Sequence, residues 1–406
     1  MELRIITTRL LALGIDERVF EEDSFLRKNA LQYGKRFLSA HILCRSGAPR
    51  SAEHIGNTVF HPVFVRAPFL FPLFAFFAGL RIIREDRGAW IISSDNPFEI
   101  GLVSWMLARL ARGKLFLQIH TDVLSPQFRR ASWKERVRFW CAKFVIPRAG
   151  YLRAVSERIR RSLVESGLAE SHSIAVLPVA TDIERFSSAV RDASCDEFLN
   201  QYSFRMIAVG RLVDKEKNFS MLIGAMKEFV KIFPAAFLAI VGHGPDRNRY
   251  DALIRQNRLE NNVMIGDEHE MEFRVCRGVR DPMHAREAAT NDFLPSFYKS
   301  FDLCVISSNY EGWNRVAVEA MAAGLPVLMT DVGLAGEVVR NGENGVIVPV
   351  GDMRRLLEEF IRLIRNREDL SGFARGAERT IRSFPKKSRE SYMKEYENLL
   401  LALIQK

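Results

Sequence analysis

The sequence has little cysteine and no recognisable export signal. Only five of its 406 residues are cysteine, and none stands in a Cys-x-x-Cys pair, so we expect neither a disulfide framework nor a zinc site. The first residues, MELRIITTRL, lack the apolar core and cleavage site of a signal peptide, and we interpret them as a first strand. Both absences predict a protein of the reducing cytoplasm.

Long apolar segments are also missing. The longest uncharged run, Ala67–Leu80, has 14 residues and contains two prolines, whereas a helix needs about 20 apolar residues to cross a bilayer. Arg66 and Arg81 flank the run. Two interpretations stay open: a buried core element, or an aromatic surface that docks on the cytoplasmic leaflet of a membrane.

Positive charge is concentrated in the first half. Residues 1–185 hold 28 Lys and Arg against 18 Asp and Glu, and the rest holds 31 of each sign. A nucleic acid, an anionic membrane or a solvated face would each explain the basic stretch 129–161. Its aromatic residues follow a helical pattern rather than forming stacking platforms. We therefore expect no nucleic-acid partner, and peripheral contact with the inner face of the cell membrane.

The pattern of apolar runs predicts two α/β domains. A chain longer than about 250–300 residues usually divides, and short apolar runs alternate with amphipathic helices in two series. This alternation indicates doubly wound, Rossmann-like parallel sheets. We place the domains at 1–190 and 196–387. The amphipathic helix at 388–406 is expected to pack back on the first domain, and the polar segment 267–291 has no assigned role.

The densest motif runs from Asp302 to Asp331 and contains EGWNRVAVE. An apolar strand ends at Ser308 and a helix begins near Asn314, so the loop lies where open α/β sheets bind ligands. The helix N-terminus favours a diphosphate. Glu311 and Glu319 suit sugar and ribose hydroxyls, because ionised carboxylates only accept hydrogen bonds. Both could equally be exposed helix acids.

A second motif, GRLVDKEKNF, follows another apolar strand. Gly210 ends the strand, Arg211 stands at its tip, and Lys215 and Lys217 follow in the turn. Cations in this position can bind a diphosphate and stabilise the charge that grows on it as a glycosidic bond breaks. Alone, such a turn is more often a solvated loop.

In order and spacing, these two motifs and IVGHGP between them resemble the donor half of retaining glycosyltransferases with the GT-B fold, and among these glycosyltransferase family 4. The resemblance covers about residues 205–350. It implies two Rossmann-like domains that face each other across a cleft. It also implies a UDP- or GDP-sugar donor, with Arg211 and Lys217 on the diphosphate. The donor-binding set that it implies is Gly210, Arg211, Lys217, Gly312, Trp313, Asn314, Arg315 and Glu319.

The first half resembles the family less closely. His120 follows a strand, where the family often has a histidine beside the reacting sugar. By this resemblance we assign catalytic roles to His120 and Glu311. The alternative is that His120 only makes structural hydrogen bonds at the end of the strand. Asp95–Glu99 has Pro97 at a helix start and is explained by helix capping, with a role at the sugar acceptor as the second interpretation. Two departures from the family are a single glycine, Gly14, after the first strand and Asn314 where a glycine is usual.

The predicted activity is retaining, metal-independent transfer of a sugar to a hydroxyl acceptor. No Asp-x-Asp motif is present, which disfavours a metal on the diphosphate, and no cofactor is expected. The basic, Phe-rich first half favours a lipid-linked or cell-envelope glycan as acceptor. The alternative is a protein that binds nucleotide sugars without transferring them.

Overall fold

The computed structural model of the protein describes residues 7–277, 293–384 and 389–405. The chain forms two compact units. The first runs through Ala180 and includes the C-terminal helix, and the second begins at Thr181.

The first unit contains one large, almost wholly parallel sheet. Its strands are β1 Arg9–Gly14, β2 Ala40–Ser46, β3 Glu53–Ile55, β4 Thr58–Phe64, β5 Trp90–Ser94, β6 Lys114–Ile119, β7 Tyr151–Ala154 and β8 Ile174–Val176. They lie in the order β3-β4-β2-β1-β5-β6-β7-β8, and only the β3–β4 pair is antiparallel. Its helices are α1 Phe25–Gly34, α2 Phe71–Glu85, α3 Glu99–Leu110, α4 Pro126–Ala131, α5 Trp133–Val145 and α6 Glu157–Glu165.

The central strands of this sheet are the apolar runs found in the sequence. All five residues of β5 and the last five of β6 are buried, as expected for strands covered on both faces. The β3–β4 hairpin was not predicted, because Thr58–Phe64 includes His61 and Pro62 and has no apolar run. Strand β1 begins at Arg9, later than the predicted strand, whose first residues lie outside the described part of the chain.

The uncharged run Ala67–Leu80 forms a short turn and most of α2. One side of α2 is buried through Phe71, Ala75 and Ile82, whereas Phe74 and Phe77 on its other side are exposed. The run is therefore half core element and half surface. No described helix is both long and apolar enough to cross a bilayer.

The second unit has a smaller sheet with parallel strands throughout. The strands are β9 Phe204–Val209, β10 Ala236–Val241, β11 Val263–Gly266, β12 Leu303–Ile306, β13 Val327–Thr330 and β14 Gly345–Val348, in the order β11-β10-β9-β12-β13-β14. The helices are α7 Ile183–Ser188, α8 Asp196–Leu199, α9 Asp214–Lys217, α10 Phe219–Ile232, α11 Arg247–Gln256, α12 Glu268–Met271, α13 Phe293–Tyr298, α14 Arg315–Ala322, α15 Met353–Arg365 and α16 Arg367–Ser383.

Helix α7 belongs to the second unit, although the sequence placed it before the domain boundary. Phe186 makes an edge-on contact with Tyr298 of α13 at 5.8 Å between ring centroids, and α7 also packs on α14. Composition alone placed the domain boundary at the polar stretch after α7. The apolar contacts of α7, however, are with helices that follow this stretch in the sequence.

The C-terminal helix, α17 Arg389–Gln405, packs on the first unit, as predicted. Tyr392, Met393, Tyr396, Leu400 and Leu403 share an apolar cluster with residues of β1, β5 and β6. Arg36 and Glu397 form an ion pair at 3.0 Å, and the Lys114 ammonium donates to the Leu403 carbonyl at 2.8 Å.

One expectation about cysteine was wrong. Cys195 and Cys276 form a disulfide across 81 residues of sequence, and both are buried in the second unit. The spacing of the cysteines in the sequence does not predict this pair, because only the fold brings the two positions together. The three other cysteines are free thiols.

Candidate functional site

The two predicted donor motifs meet at one edge of the second sheet. Strand β9 has β10 on one side and β12 on the other, and the chain leaves β9 and β12 at their carboxyl ends through the Arg211 loop and the Glu311 loop. Ligands of open α/β sheets bind in the crevice outside such a switch in strand order. The sheet topology thus places both motifs beside one crevice.

Gly210 and Arg211 lead out of β9. A side chain on Gly210 would lie 3.2 Å from Cε of Lys217, so the glycine leaves room for the lysine stem. The Arg211 guanidinium forms an ion pair with Glu216 at 2.6 Å and keeps 66% of its side-chain surface exposed. An exposed pair of this kind contributes little to stability, which leaves the guanidinium available to an anion.

Asn218 explains how the Arg211 loop turns into α10. Its backbone is left-handed, with φ 51° and ψ 41°, a conformation that glycine and asparagine adopt most readily. Here the asparagine side chain also donates to the Asn309 side chain at 3.1 Å.

Further hydrogen bonds join the two loops. Asn309 donates its backbone N–H to the Glu216 carbonyl at 2.7 Å and its side-chain amide to the Lys215 carbonyl at 3.1 Å. The Ser307 hydroxyl donates to the Lys217 carbonyl at 2.7 Å. These hydrogen bonds were not predicted from the sequence, because they join residues about 90 positions apart and follow no local pattern.

Glu311 is held at one carboxylate oxygen. Its Oε1 accepts from the Lys217 ammonium, from Ser308 Oγ at 2.8 Å and from Asn314 Nδ2 at 3.2 Å. The side chains of Lys217 and Glu311 keep only 17% and 15% of their surface exposed. In the part of the chain that the structure describes, the three hydrogen bonds to this carboxylate all go to Oε1, so Oε2 can accept a hydroxyl from a ligand.

Helix α14 begins directly after the Glu311 loop. Asn314 is the N-cap, and its Oδ1 accepts from the Ala317 N–H at 3.4 Å. Trp313 lies inside the unit with 6% of its surface exposed, beside Phe384, and Gly312 is also buried. The Trp313 ring therefore belongs to the core of the unit. The part of Trp313 that could contact a sugar donor is its backbone.

Glu319 lies one turn into α14 and is partly exposed. Desolvation raises the pKa of its carboxyl, the Arg315 guanidinium lowers it, and the Glu268 carboxylate raises it again. A carboxyl in such surroundings gains from hydroxyl donors, which replace the water that it has lost. Arg315 itself is exposed.

His120 lies in the first unit, directly after β6, and its side chain is exposed. Desolvation by the surrounding protein, followed by the Arg153 guanidinium, lowers the pKa of the imidazole. Because the ring is in contact with solvent, the desolvation is partial. The imidazole is therefore neutral at pH 7 and can either donate or accept a hydrogen bond.

Within the described residues, one group has ligand atoms close enough together for a metal ion: Asp192, Cys195 and Cys276. Its two sulfur atoms are bonded to each other. The group contains none of the predicted donor-binding residues.

Two sequence families match the chain in adjoining parts. Residues 25–180 match the family described as "Glycosyl transferase 4-like domain", and residues 203–366 match "Glycosyl transferases group 1". The second match contains the Arg211 and Glu311 loops, and the first contains His120.

Curated relatives agree with these matches. The chain is 26% identical over 238 residues to the capsular polysaccharide biosynthesis glycosyltransferase CapM of Staphylococcus aureus, covering 57% of the chain and 55% of CapM. It is 26% identical over 284 residues to a phosphatidyl-myo-inositol mannosyltransferase of Mycobacterium leprae, covering 68% and 66%. The alignments thus span about half to two thirds of the length of these relatives.

Solved structures show the same fold over nearly the whole chain. Sucrose-phosphate synthase from Thermosynechococcus elongatus matches with a TM-score of 0.74 at 16% identity, covering 98% of this chain and 99% of that one. HepE from Anabaena, solved in complex with UDP, matches with a TM-score of 0.65 at 18% identity, covering 98% and 100%.

The two parallel α/β units and this likeness assign the fold to the GT-B class. Because the family matches together span most of the chain, the protein belongs to the group 1 glycosyltransferases, the family-4-like group that the EGWNRVAVE motif indicated. The predictions of fold and family are confirmed. The roles of individual site residues and the cleft between the domains stay predictions.

Proposed function

We propose that the protein transfers a hexose from a UDP- or GDP-sugar to a hydroxyl group of a lipid-linked or cell-envelope glycan, with retention of configuration and without a metal ion. The observation that carries this proposal is the joined pair of loops at the β9–β12 switch point. There Lys217, Arg211 and the N-terminus of α14 supply positive charge, and Glu311 keeps one carboxylate oxygen for a hydroxyl.

In the proposed reaction the oxygen of the acceptor hydroxyl bonds to the anomeric carbon, on the face from which the diphosphate leaves. The bond from that carbon to the diphosphate oxygen breaks, and the hydroxyl proton passes to the departing diphosphate. Arg211 and Lys217 stabilise the charge that grows on the diphosphate. Glu311 binds the transferred sugar and stabilises its oxocarbenium character, Glu319 binds the ribose, and neutral His120 hydrogen-bonds a sugar hydroxyl.

The names of the relatives support the choice of acceptor class. One is named for capsular polysaccharide synthesis and another as a mannosyltransferase of phosphatidyl-myo-inositol. HepE was solved with UDP and with UDP-glucose, which supports a nucleotide-sugar donor.

The test uses the whole chain of 406 residues. UDP- and GDP-hexoses are screened by thermal shift, because a ligand that binds only the folded state raises the melting temperature. Mass spectrometry then follows sugar transfer to phosphatidylinositol, diacylglycerol and octyl glucoside. We expect transfer, and a loss of at least tenfold in Glu311→Ala and Arg211→Ala. Firm donor binding without any product would support the alternative, a binding protein without transfer activity.

We further propose that the first unit docks peripherally on an anionic membrane at the cytoplasmic face. Helices α2 and α5 both pack on α3, and each has an exposed apolar side. On α2 and the turn before it, Phe69 and Phe77 are 79% and 59% exposed; on α5, Trp133 and Trp140 are 72% and 65% exposed. We call these exposed sides of α2 and α5 the aromatic surface.

Two features of the aromatic surface favour lipid as its partner. Several exposed aromatic side chains on two helices that both pack on α3 favour an interaction site over an ordinary solvated face, and Trp and Phe suit the boundary between headgroups and acyl chains. Exposed cations lie among them: Lys134 and Arg136 are on α5, and the Lys143 ammonium lies 5.5 Å from the centroid of the Trp140 ring. Each cation near an anionic membrane contributes about 1 kcal/mol of binding free energy.

Vesicle sedimentation tests this surface. The protein should bind phosphatidylglycerol-containing vesicles and release them as salt rises, and Lys134→Glu with Lys143→Glu should weaken binding more than tenfold. The matched control is Lys227→Glu with Lys231→Glu on α10, which makes the same charge change on exposed positions of the second unit. Equal binding by both double variants would contradict the proposal. Salt-independent self-association abolished by Trp140→Ser would assign the surface to a second copy of the chain.

A further inference from the structure

The first sheet has its own switch point, and an unusual carboxylate lies there. Strand β1 has β2 on one side and β5 on the other. Asp95 directly follows β5, and Gly14 ends β1. The same topological argument that places the donor loops in the second unit therefore makes the ends of β1 and β5 a ligand-binding edge of the first unit.

Gly14 makes room for the Asp95 side chain. A Cβ at position 14 would lie 2.5 Å from Asp95 Oδ2, too close for any other residue unless the carboxylate moved. The single glycine after the first strand, where the family often has two, thus keeps space for a carboxylate. That oxygen points over the end of β1, and Asp95 is partly exposed.

Asp95 is not a helix cap, contrary to the simpler interpretation of the sequence. Helix α3 begins at Glu99, and the turn before it is closed by Asn96, whose Oδ1 accepts from the Phe98 N–H at 3.0 Å. The carboxylate of Asp95 instead accepts at Oδ1 from Gln118 Nε2 at 3.1 Å.

A chain of buried side chains fixes Gln118 in turn. Its Oε1 accepts from Arg153 Nη1 at 2.6 Å, and Arg153 Nη2 donates to the Tyr392 hydroxyl of α17 at 2.7 Å. Gln118 and Arg153 are 6% and 3% exposed. Through this chain of hydrogen bonds, the C-terminal helix helps to set the orientation of the Asp95 carboxylate.

We propose that the Asp95 carboxylate binds a hydroxyl group of the sugar acceptor at the Gly14–Asp95 edge of the first sheet, with Gln118, Arg153 and Tyr392 as positioning residues. This inference rests on the proposed function, because it assumes that the substrate of the first unit is a hydroxyl compound. An ionised carboxylate accepts hydrogen bonds only, and its Oδ1 already has a donor, so Oδ2 selects a donor such as a hydroxyl.

Hydroxyl binding by Asp95 should depend on pH. Desolvation raises the pKa of Asp95 to about 7, the Arg153 guanidinium lowers it and the Asp16 carboxylate raises it. The titratable groups that interact with it come from several elements: Asp16 in the loop after β1, Tyr33 on α1, Cys44 on β2, Arg153 on β7 and Tyr396 on α17. The carboxylate form is required, so binding should strengthen from pH 6 to pH 8.

The experiment measures the binding of octyl β-D-glucoside, myo-inositol and glycerol by saturation-transfer NMR, with UDP binding followed by calorimetry. Asp95→Asn should weaken binding of the hydroxyl probes about ten- to hundredfold, as expected for one charge-assisted hydrogen bond, and should remove its pH dependence. UDP affinity should not change. Gln118→Leu removes a donor that favours the ionised form, so the pH midpoint should move upward.

Asp122→Asn is the matched control. Asp122 lies in the loop after β6, and burial also raises the pKa of its carboxyl, whereas the backbone N–H groups of Leu124 and Ser125 lower that pKa. The Asp122→Asn variant should bind the hydroxyl probes as well as the wild type does. Wild-type protein that binds UDP but no probe, or Asp95→Asn with unchanged probe binding and pH dependence, would overturn this inference alone. Wild-type protein that binds neither UDP nor any UDP- or GDP-hexose would overturn the proposed function.

Discussion

Replacement of Lys217 by methionine tests the proposed donor site most directly. Methionine keeps a long unbranched stem beside Gly210 but removes the ammonium that pairs with Glu311. In the proposed complex this ammonium also contacts the diphosphate. A hydrogen bond to a charged group contributes about 1.5–3 kcal/mol, so Lys217→Met should weaken UDP binding roughly ten- to hundredfold.

Lys217→Met should also lower the free energy of unfolding, but the other hydrogen bonds to Glu311 should keep this loss moderate. Breaking a fully buried ion pair costs about 3–5 kcal/mol. Here both side chains keep about a sixth of their surface exposed, and Ser308 and Asn314 still donate to Glu311. We therefore expect a loss of about 1–3 kcal/mol in the free energy of unfolding.

Calorimetry with UDP and urea unfolding separate the two effects. Lys215→Met is the control for charge in the same loop, and it should bind UDP nearly as well as the wild type. The double variant Lys217→Met, Glu311→Gln should recover part of the stability, because no uncompensated charge is left. UDP affinity within twofold of the wild type in Lys217→Met, with the protein folded, would refute the assignment of this lysine to the diphosphate.

Three further predictions concern the framework. Phe360 is fully buried against Phe229, so Phe360→Ala should cost about 3–5 kcal/mol of unfolding free energy; a change below 1 kcal/mol in urea unfolding would contradict this packing. Burial and the neighbouring His41 lower the pKa of His61 to about 4, below the unfolded value near 6.5. The unfolded chain then binds more protons in this window, so the melting temperature should fall from pH 6.5 towards pH 4, and His61→Gln should reduce that fall. Tyr392→Phe should leave α17 helical by circular dichroism but weaken probe binding at the Asp95 edge; unchanged binding would remove Tyr392 from the positioning chain.

The sequence by itself determined the fold class, the family and the order of the two donor motifs. Strands such as β5, β10 and β12 are buried on both faces and therefore read as continuous apolar runs. The EGWNRVAVE motif is local, since a strand end, a turn and a helix start follow one another within it. The amphipathic pattern of α17 likewise showed that this helix had a face to bury.

Contacts between distant residues were beyond the sequence. Three features depend on packing across long sequence separations. They are the Cys195–Cys276 disulfide, the hydrogen bonds from Asn309 to the Arg211 loop, and the packing of α7 in the second unit. The β3–β4 hairpin was missed because an edge strand with polar residues and a proline has no periodic signal.

The tertiary structure also decided between interpretations that the sequence left open. The uncharged run could be core or surface, and as α2 it is both, because a helix has two sides. Asp95 could cap a helix or serve the acceptor. In the structure the N-cap residue of α3 is Phe98, Asn96 closes the turn before it, and Asp95 lies at a sheet edge. A pattern of residue types fixes which groups are available, but only the folded chain fixes which neighbours satisfy them and which oxygen stays open to a ligand.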